Sequence, residues 1–137
     1  MTASTATTTT DVDVVRAVFA AFASGDLAAL SDLLHADATW NHHNDDRLGG
    51  VHRGAEAIIA YLTESALLTA GTLHAEPQSV MADGQGHVAV PVRLSASRPD
   101  GRAMDGPQVV LVTVDGGRVR AIEQFIGNPA AVAAFWA

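Results

Sequence analysis

The stretch ASGDLAALSDLLHADATWNHHNDDRLGGVHRGAEAIIAYL, residues 23–62, decides the fold. Leu27, Leu30, Leu33 and Leu34 recur at helical spacing behind Asp26, a residue suited to an N-cap, and predict a short helix. Ala38 to His43 then reads as a strand, whose alternation puts Ala38, Trp40 and His42 on one face and Thr39, Asn41 and His43 on the other. Asn44 to Val51, rich in Asn, Asp and Gly, reads as a loop. Gly54 to Thr69 is the longest helical pattern, with Ile58, Ile59, Leu62, Ala66 and Leu67 as its expected buried stripe. A strand between two helices lets apolar helix faces wall a pocket into which one titratable imidazole is aimed.

Working outward, residues 2–10 are Thr, Ala and Ser almost throughout, and residues 1–10 are expected to be a disordered leader to a single domain over 11–137. Val14, Val15, Val18, Phe19 and Phe22 mark a first helix that starts at Asp11, with Thr10 or Asp11 as cap, and ends near Gly25. Beyond Gly71 the period falls from about 3.6 to 2. Strands are predicted over Leu73–Met81, His87–Ser97, Met104–Val114 and Arg118–Ile126, separated by turn signals at Asp83-Gly84, Asp100-Gly101 and Asp115-Gly116-Gly117. Pro129 opens a short last helix through Phe135 and Trp136. Helices first and hairpins after them predict an α+β domain, with helices packed on one face of a curved, mostly antiparallel sheet.

The chain of 137 residues fits one compact domain, and 48% of it is apolar with few aromatics, so the core is built from Ala, Val, Leu and Ile. A net charge of -7 with eight scattered basic residues argues against nucleic acid and anionic membrane surfaces. The absence of cysteine removes disulfides, thiolate catalysis and Cys-ligated metals. No apolar run approaches the roughly 20 residues of a membrane span and no signal peptide is evident, so a cytoplasmic location is expected.

The order helix, helix, strand, helix and four strands resembles the cone-shaped nuclear transport factor 2-like fold, and more closely its SnoaL-like branch. The residues that carry the resemblance are Gly25-Asp26, Asp37-Ala38-Thr39-Trp40, Leu48-Gly49-Gly50, Arg53-Gly54, Gly117-Arg118-Val119 and Ala133-Ala134-Phe135-Trp136, in family-like order. The resemblance implies a pocket between the helices and the concave face of the sheet, a homodimer formed across the sheet, and a hydrophobic small-molecule ligand with no cofactor. Such proteins include ketosteroid isomerases, polyketide cyclases, epoxide hydrolases, dehydratases and non-catalytic binders, so the site must choose among them. Compared with the isomerases, the general-base position falls at His42, while the positions of the two oxyanion donors fall at Val18 and Val110. Compared with the cyclases, the catalytic aspartate position falls at Gln124 and a histidine position again at Val110. The Asp-Arg-Asp set of the epoxide hydrolases has no counterpart.

If alternation holds, the cavity is apolar with one imidazole and two carboxamides. Its expected lining is Trp40, His42, Tyr61, Leu62, Val92, Gln108, Val110 and Gln124, joined by Leu34, Ala66, Val90, Leu94, Val112, Ile122 and Ile126. His42 is the candidate general acid or base, because imidazole titrates near neutrality. Asp45 and Asp46 are candidates to orient it or to supply an acid at the pocket mouth, against the plainer reading as turn formers. His43, Asn44 and His52 complete a cluster that invites a metal. Consecutive strand residues point to opposite faces, however, and no metal is expected. Glu123 falls on the outer face, where Arg93 or Arg120 are the expected partners, and His74 and His87 read as surface positions. The expected chemistry is cofactor-free isomerisation, cyclisation, dehydration or epoxide opening on a polyketide-, terpene- or steroid-like compound, with a non-catalytic binding or scaffold protein as the alternative.

Overall fold

The computed structural model describes residues 10–137, so most of the expected leader lies outside the described residues. Helix α1, Asp11–Ser24, opens with a capping box in which the Thr10 hydroxyl accepts from the Asp13 N–H and the Asp13 carboxylate accepts from the Thr10 N–H. It ends at Gly25, whose φ of 71° is the left-handed conformation that glycine adopts without penalty. Helix α2, Leu27–Asp32, is capped by Asp26. It is shorter than the leucine pattern predicts: Leu33 is its C-cap and Leu34 already begins strand β1, Leu34–His43. A short strand, β2 (Gly50–Arg53), then takes up the end of the segment expected to be loop and pairs antiparallel with β1.

Helix α3, Ala55–Leu68, departs from its predicted stripe. Ala66 and Leu67 face outward, Leu67 with 75% of its surface exposed, while Ile58, Tyr61, Leu62 and Ser65 are buried. Ser65 and, just past the helix, Thr69 fit inside because their hydroxyls donate to carbonyls of the preceding turn, at Leu62 and Ser65 respectively.

The second half supplies β3 (His74–Pro77), β4 (Met81–Ala82), β5 (His87–Ser97), β6 (Ala103–Asp115) and β7 (Arg118–Ile126), followed by helix α4, Pro129–Trp136. The strand expected over Leu73–Met81 is two short pieces, each paired with β5. Strands run in the order β2-β1-β7-β6-β5-β3, and every pair is antiparallel except β1 with β7. That parallel pair joins the first strand to the last and sets His42 opposite Gln124. Across the next strands Gln124 faces Val110 and Val110 faces Val90, so one inward row crosses the sheet from the imidazole to β5.

The face of the sheet toward the helices holds the core, including Val88, Val90, Val112, Val119 and Ile122, and it meets Val14, Val15, Leu30 and Ile58 from the helices. Arg102 and Arg98 donate to backbone carbonyls at the end of α4, Arg102 to Ala134, Phe135 and Ala137. Cations there complement the negative end of the helix dipole and hold buried Phe135 and Trp136 in place. Glu123 meets neither expected arginine. It pairs with His43 on the outer face, while Arg93 pairs with Asp105, and Arg120 with Asp115 and Asp37.

Candidate active site

The sheet alternation sends His42 inward, where it is 2% exposed, and His43 outward. A cavity of about 70 Å³ lies between α1, α3 and the sheet. Phe19, Phe22, Leu62, Val92 and Val110 make its wall apolar, and its polar groups are His42, Tyr61, Ser65, Gln108, Gln124 and the Trp40 indole. Leu34, Val90, Ala66 and Ile126, expected on its lining, do not reach it.

Apart from Ser65, whose hydroxyl is turned to the Leu62 carbonyl, the polar groups form one connected chain. His42 Nε2 lies 2.9 Å from Asp46 Oδ2, and His42 Nδ1 lies 3.0 Å from the Tyr61 hydroxyl. Tyr61 donates to Gln124 Oε1 at 2.9 Å, and the Trp40 indole N–H donates to the same oxygen at 2.9 Å. Gln124 Nε2 donates to Gln108 Oε1 at 2.7 Å. Tyr61 is held in place by its ring, which stacks on His52 with centroids 4.2 Å apart and leans against Trp40 at 5.5 Å. Burial, and after it the negative charge of Asp46, pushes the Tyr61 hydroxyl far above the usual phenol range, so it keeps its proton.

Asp46 reaches this chain because the loop after β1 folds back tightly. The Asn44 N–H donates to the His42 carbonyl at 2.8 Å, and the Gly49 N–H donates to the Asp46 carbonyl at 3.0 Å. Gly49 has to be glycine here, since a Cβ would sit 2.0 Å from the Asn44 carbonyl oxygen. Within the turn the Asp46 carboxylate accepts from Asn44 Nδ2 and from the Leu48 N–H, both at 2.8 Å, and its side chain is fully buried. Asp45, one residue earlier, is exposed and makes no side-chain hydrogen bond among the described residues. Asp46 is thus both turn former and imidazole partner, two roles that the sequence presents as alternatives. Tyr61, expected only to shape the cavity wall, is the link between the imidazole and the carboxamides. The signal available was a lone tyrosine on the same helix face as Ile58 and Leu62.

Helices packed on one face of a mostly antiparallel sheet, enclosing an apolar cavity with one imidazole, define a scaffold that hosts sites of several kinds. The chain belongs to the SnoaL-like domain family, whose model matches residues 15–122. It is 39% identical over 127 residues to an uncharacterized protein of Mycobacterium tuberculosis, covering 93% of this chain and 96% of that one. Among solved structures, Bal32a from a soil-derived mobile gene cassette is 30% identical, with a TM-score of 0.89 over 93% of this chain and 96% of its own. TerC, co-crystallized with polyporic acid, shares the fold at 20% identity and a TM-score of 0.79, covering 91% of this chain and 96% of its own. Proteins of ketosteroid isomerase-like fold and of the polyketide cyclase type share the architecture as well. Among the described residues no helix is long and apolar enough to cross a membrane.

Proposed function

We propose that this protein is a small-molecule enzyme that carries out cofactor-free acid–base chemistry on a hydrophobic substrate. The observation that carries the reading is the continuous chain Asp46–His42–Tyr61–Gln124–Gln108, whose last four members line an otherwise apolar cavity. His42 moves the proton, Asp46 orients it, and the carboxamides of Gln124 and Gln108 receive a substrate oxygen. Trp40, Tyr61, Leu62, Val92 and Val110 shape the space around it. Isomerisation, cyclisation, dehydration and epoxide opening all draw on this set. At about 70 Å³ the cavity encloses the reacting end of a polyketide-, terpene- or steroid-like molecule rather than the whole. The remainder has to displace side chains such as Phe19 and Phe22. That TerC was crystallized with polyporic acid supports a compound of comparable size as ligand here.

The test is a turnover screen of hydrophobic ketones and epoxides, followed by His42→Gln on the best substrate. Loss of a positioned acid or base lowers the rate roughly 10²–10⁴-fold. Full activity in His42→Gln rejects the assignment.

A second reading, a non-catalytic binding protein, draws on Val18 and Val110 lining the cavity without a donor and on both ring nitrogens of His42 being engaged. Saturable binding without turnover across the screen would favour it. Under either reading we expect a homodimer across the outer face of the sheet. Val109 and Phe125 lie side by side there, 43% and 44% exposed, and the test is the mass in solution.

A further inference from the structure

The reading of the cavity as a small-molecule site leaves open what the ligand presents to it, and the direction of the hydrogen bonds answers this. An indole N–H only donates, so Trp40 fixes Gln124 with Oε1 toward it and Nε2 toward Gln108. The Tyr61 oxygen, 2.9 Å from the same Oε1, has to place its single proton there. That oxygen is then an acceptor toward His42, and Nδ1 at 3.0 Å carries a proton. On the other side of the ring, Asp46 already accepts from Asn44 and Leu48 N–H groups, the setting of a carboxylate that only accepts, so Nε2 at 2.9 Å carries a proton too. Every donor from His42 onward points the same way: His42 into Tyr61, Tyr61 into Gln124, Gln124 into Gln108. Gln108 Nε2 ends the series. It lies on a cavity-lining residue, it makes no hydrogen bond among the described residues, and it is not a sealed-off orphan.

We propose that the resting site holds His42 doubly protonated against Asp46, and that its one-way chain ends in a Gln108 N–H that selects a ligand with a hydrogen-bond acceptor, a carbonyl oxygen, over one offering a hydroxyl proton. The imidazolium polarises each successive donor, which strengthens the last one. Resting on the acid–base reading, this makes the site one that withdraws electron density from a substrate oxygen rather than one that begins by taking a proton. Tyr61 and Asp46 are positioning residues, each acting through its neighbour.

Two measurements on the full chain test it. The first is ¹⁵N NMR of the histidine rings at neutral pH without ligand, with His42 assigned by difference against His42→Gln. Both ring nitrogens of His42 are expected in the protonated form. Asp46→Asn is expected to turn Nε2 into a lone-pair nitrogen while Nδ1 keeps its proton, a change that a merely structural role would not produce. A lone-pair nitrogen on His42 in the wild type overturns the proton assignment, whatever the outcome of the turnover screen. The second measurement compares binding of cyclohexanone with that of methylenecyclohexane, a near-isostere without an acceptor. The ketone is expected to bind roughly three- to tenfold more tightly. Gln108→Glu, which still accepts from Gln124 but ends in an acceptor, is expected to abolish that preference. No preference for the ketone in the wild type, or one that survives Gln108→Glu, overturns the acceptor assignment.

Discussion

Tyr61 is the single tyrosine of the chain, and all eight basic residues are arginines. Between pH 10 and 12 it is therefore the one side chain with an ordinary pKa in range, because arginine stays protonated above 12. In the folded protein its hydroxyl is held far above that range by burial and by Asp46. In the unfolded chain it ionises near 10. A group whose pKa is raised on folding contributes stability that is complete below the unfolded value and is lost as pH rises above it. Each pH unit beyond about 10 should cost roughly 1.4 kcal/mol, or about 2.7 kcal/mol by pH 12. That is a sizeable share of the roughly 5–15 kcal/mol of a typical domain. The assay is ultraviolet absorbance of tyrosinate beside circular dichroism during an alkaline titration. Tyrosinate should appear in one cooperative step together with loss of structure, and Tyr61→Phe should flatten the decline in urea stability over the same interval. Tyrosinate forming with a midpoint near 10 while the dichroism stays native would refute both the burial of the hydroxyl and its place in the chain.

Three further predictions concern the shell around the cavity. Gly49→Ala should open the turn that holds Asp46, because its Cβ would meet a backbone oxygen at 2.0 Å, and cost about 2–4 kcal/mol in urea denaturation. An unchanged midpoint would show that the loop has another conformation available. Arg102→Ala should lower stability by about 1–2 kcal/mol through lost hydrogen bonds to the α4 carbonyls and shift Trp136 emission to the red; unaltered emission would count against the clasp. Trp40→Phe removes the N–H that orients Gln124 and should weaken ketone binding about threefold or more while leaving the fold intact, as read by calorimetry.

Much of the sheet is legible in the sequence because alternation is a local signal. The patterns of β5 and β7 match their observed limits, and the inward set Val92, Gln108, Val110 and Gln124 follows from counting by two. The partnership of β1 with β7 is not legible, since pairing across so many residues leaves no mark in either segment. Helix α3 shows where hydropathy misleads: Leu67 lies outside and Thr69 inside, because a hydroxyl that donates to its own helix no longer needs water. Asp46 shows the converse. An Asn-Asp-Asp run reads as solvated loop, and its burial depends on a backbone that turns back on itself through Gly49.

The parallel pairing of the first strand with the last has a consequence for how the molecule comes into being. Trp40 and His42 are synthesised early, yet the residue that faces them, Gln124, arrives 84 positions after Trp40. During vectorial synthesis the cavity therefore has helices and one wall long before it has a second wall, and the polar chain stays open until β7 emerges. Non-local closure of this kind slows folding and leaves an unpaired β1 edge beside apolar helix faces in the meantime. The proportion of the chain that aggregates is thus expected to be set by how quickly the last strand docks, and substitutions in β7 to alter yield before they alter the stability of the finished protein.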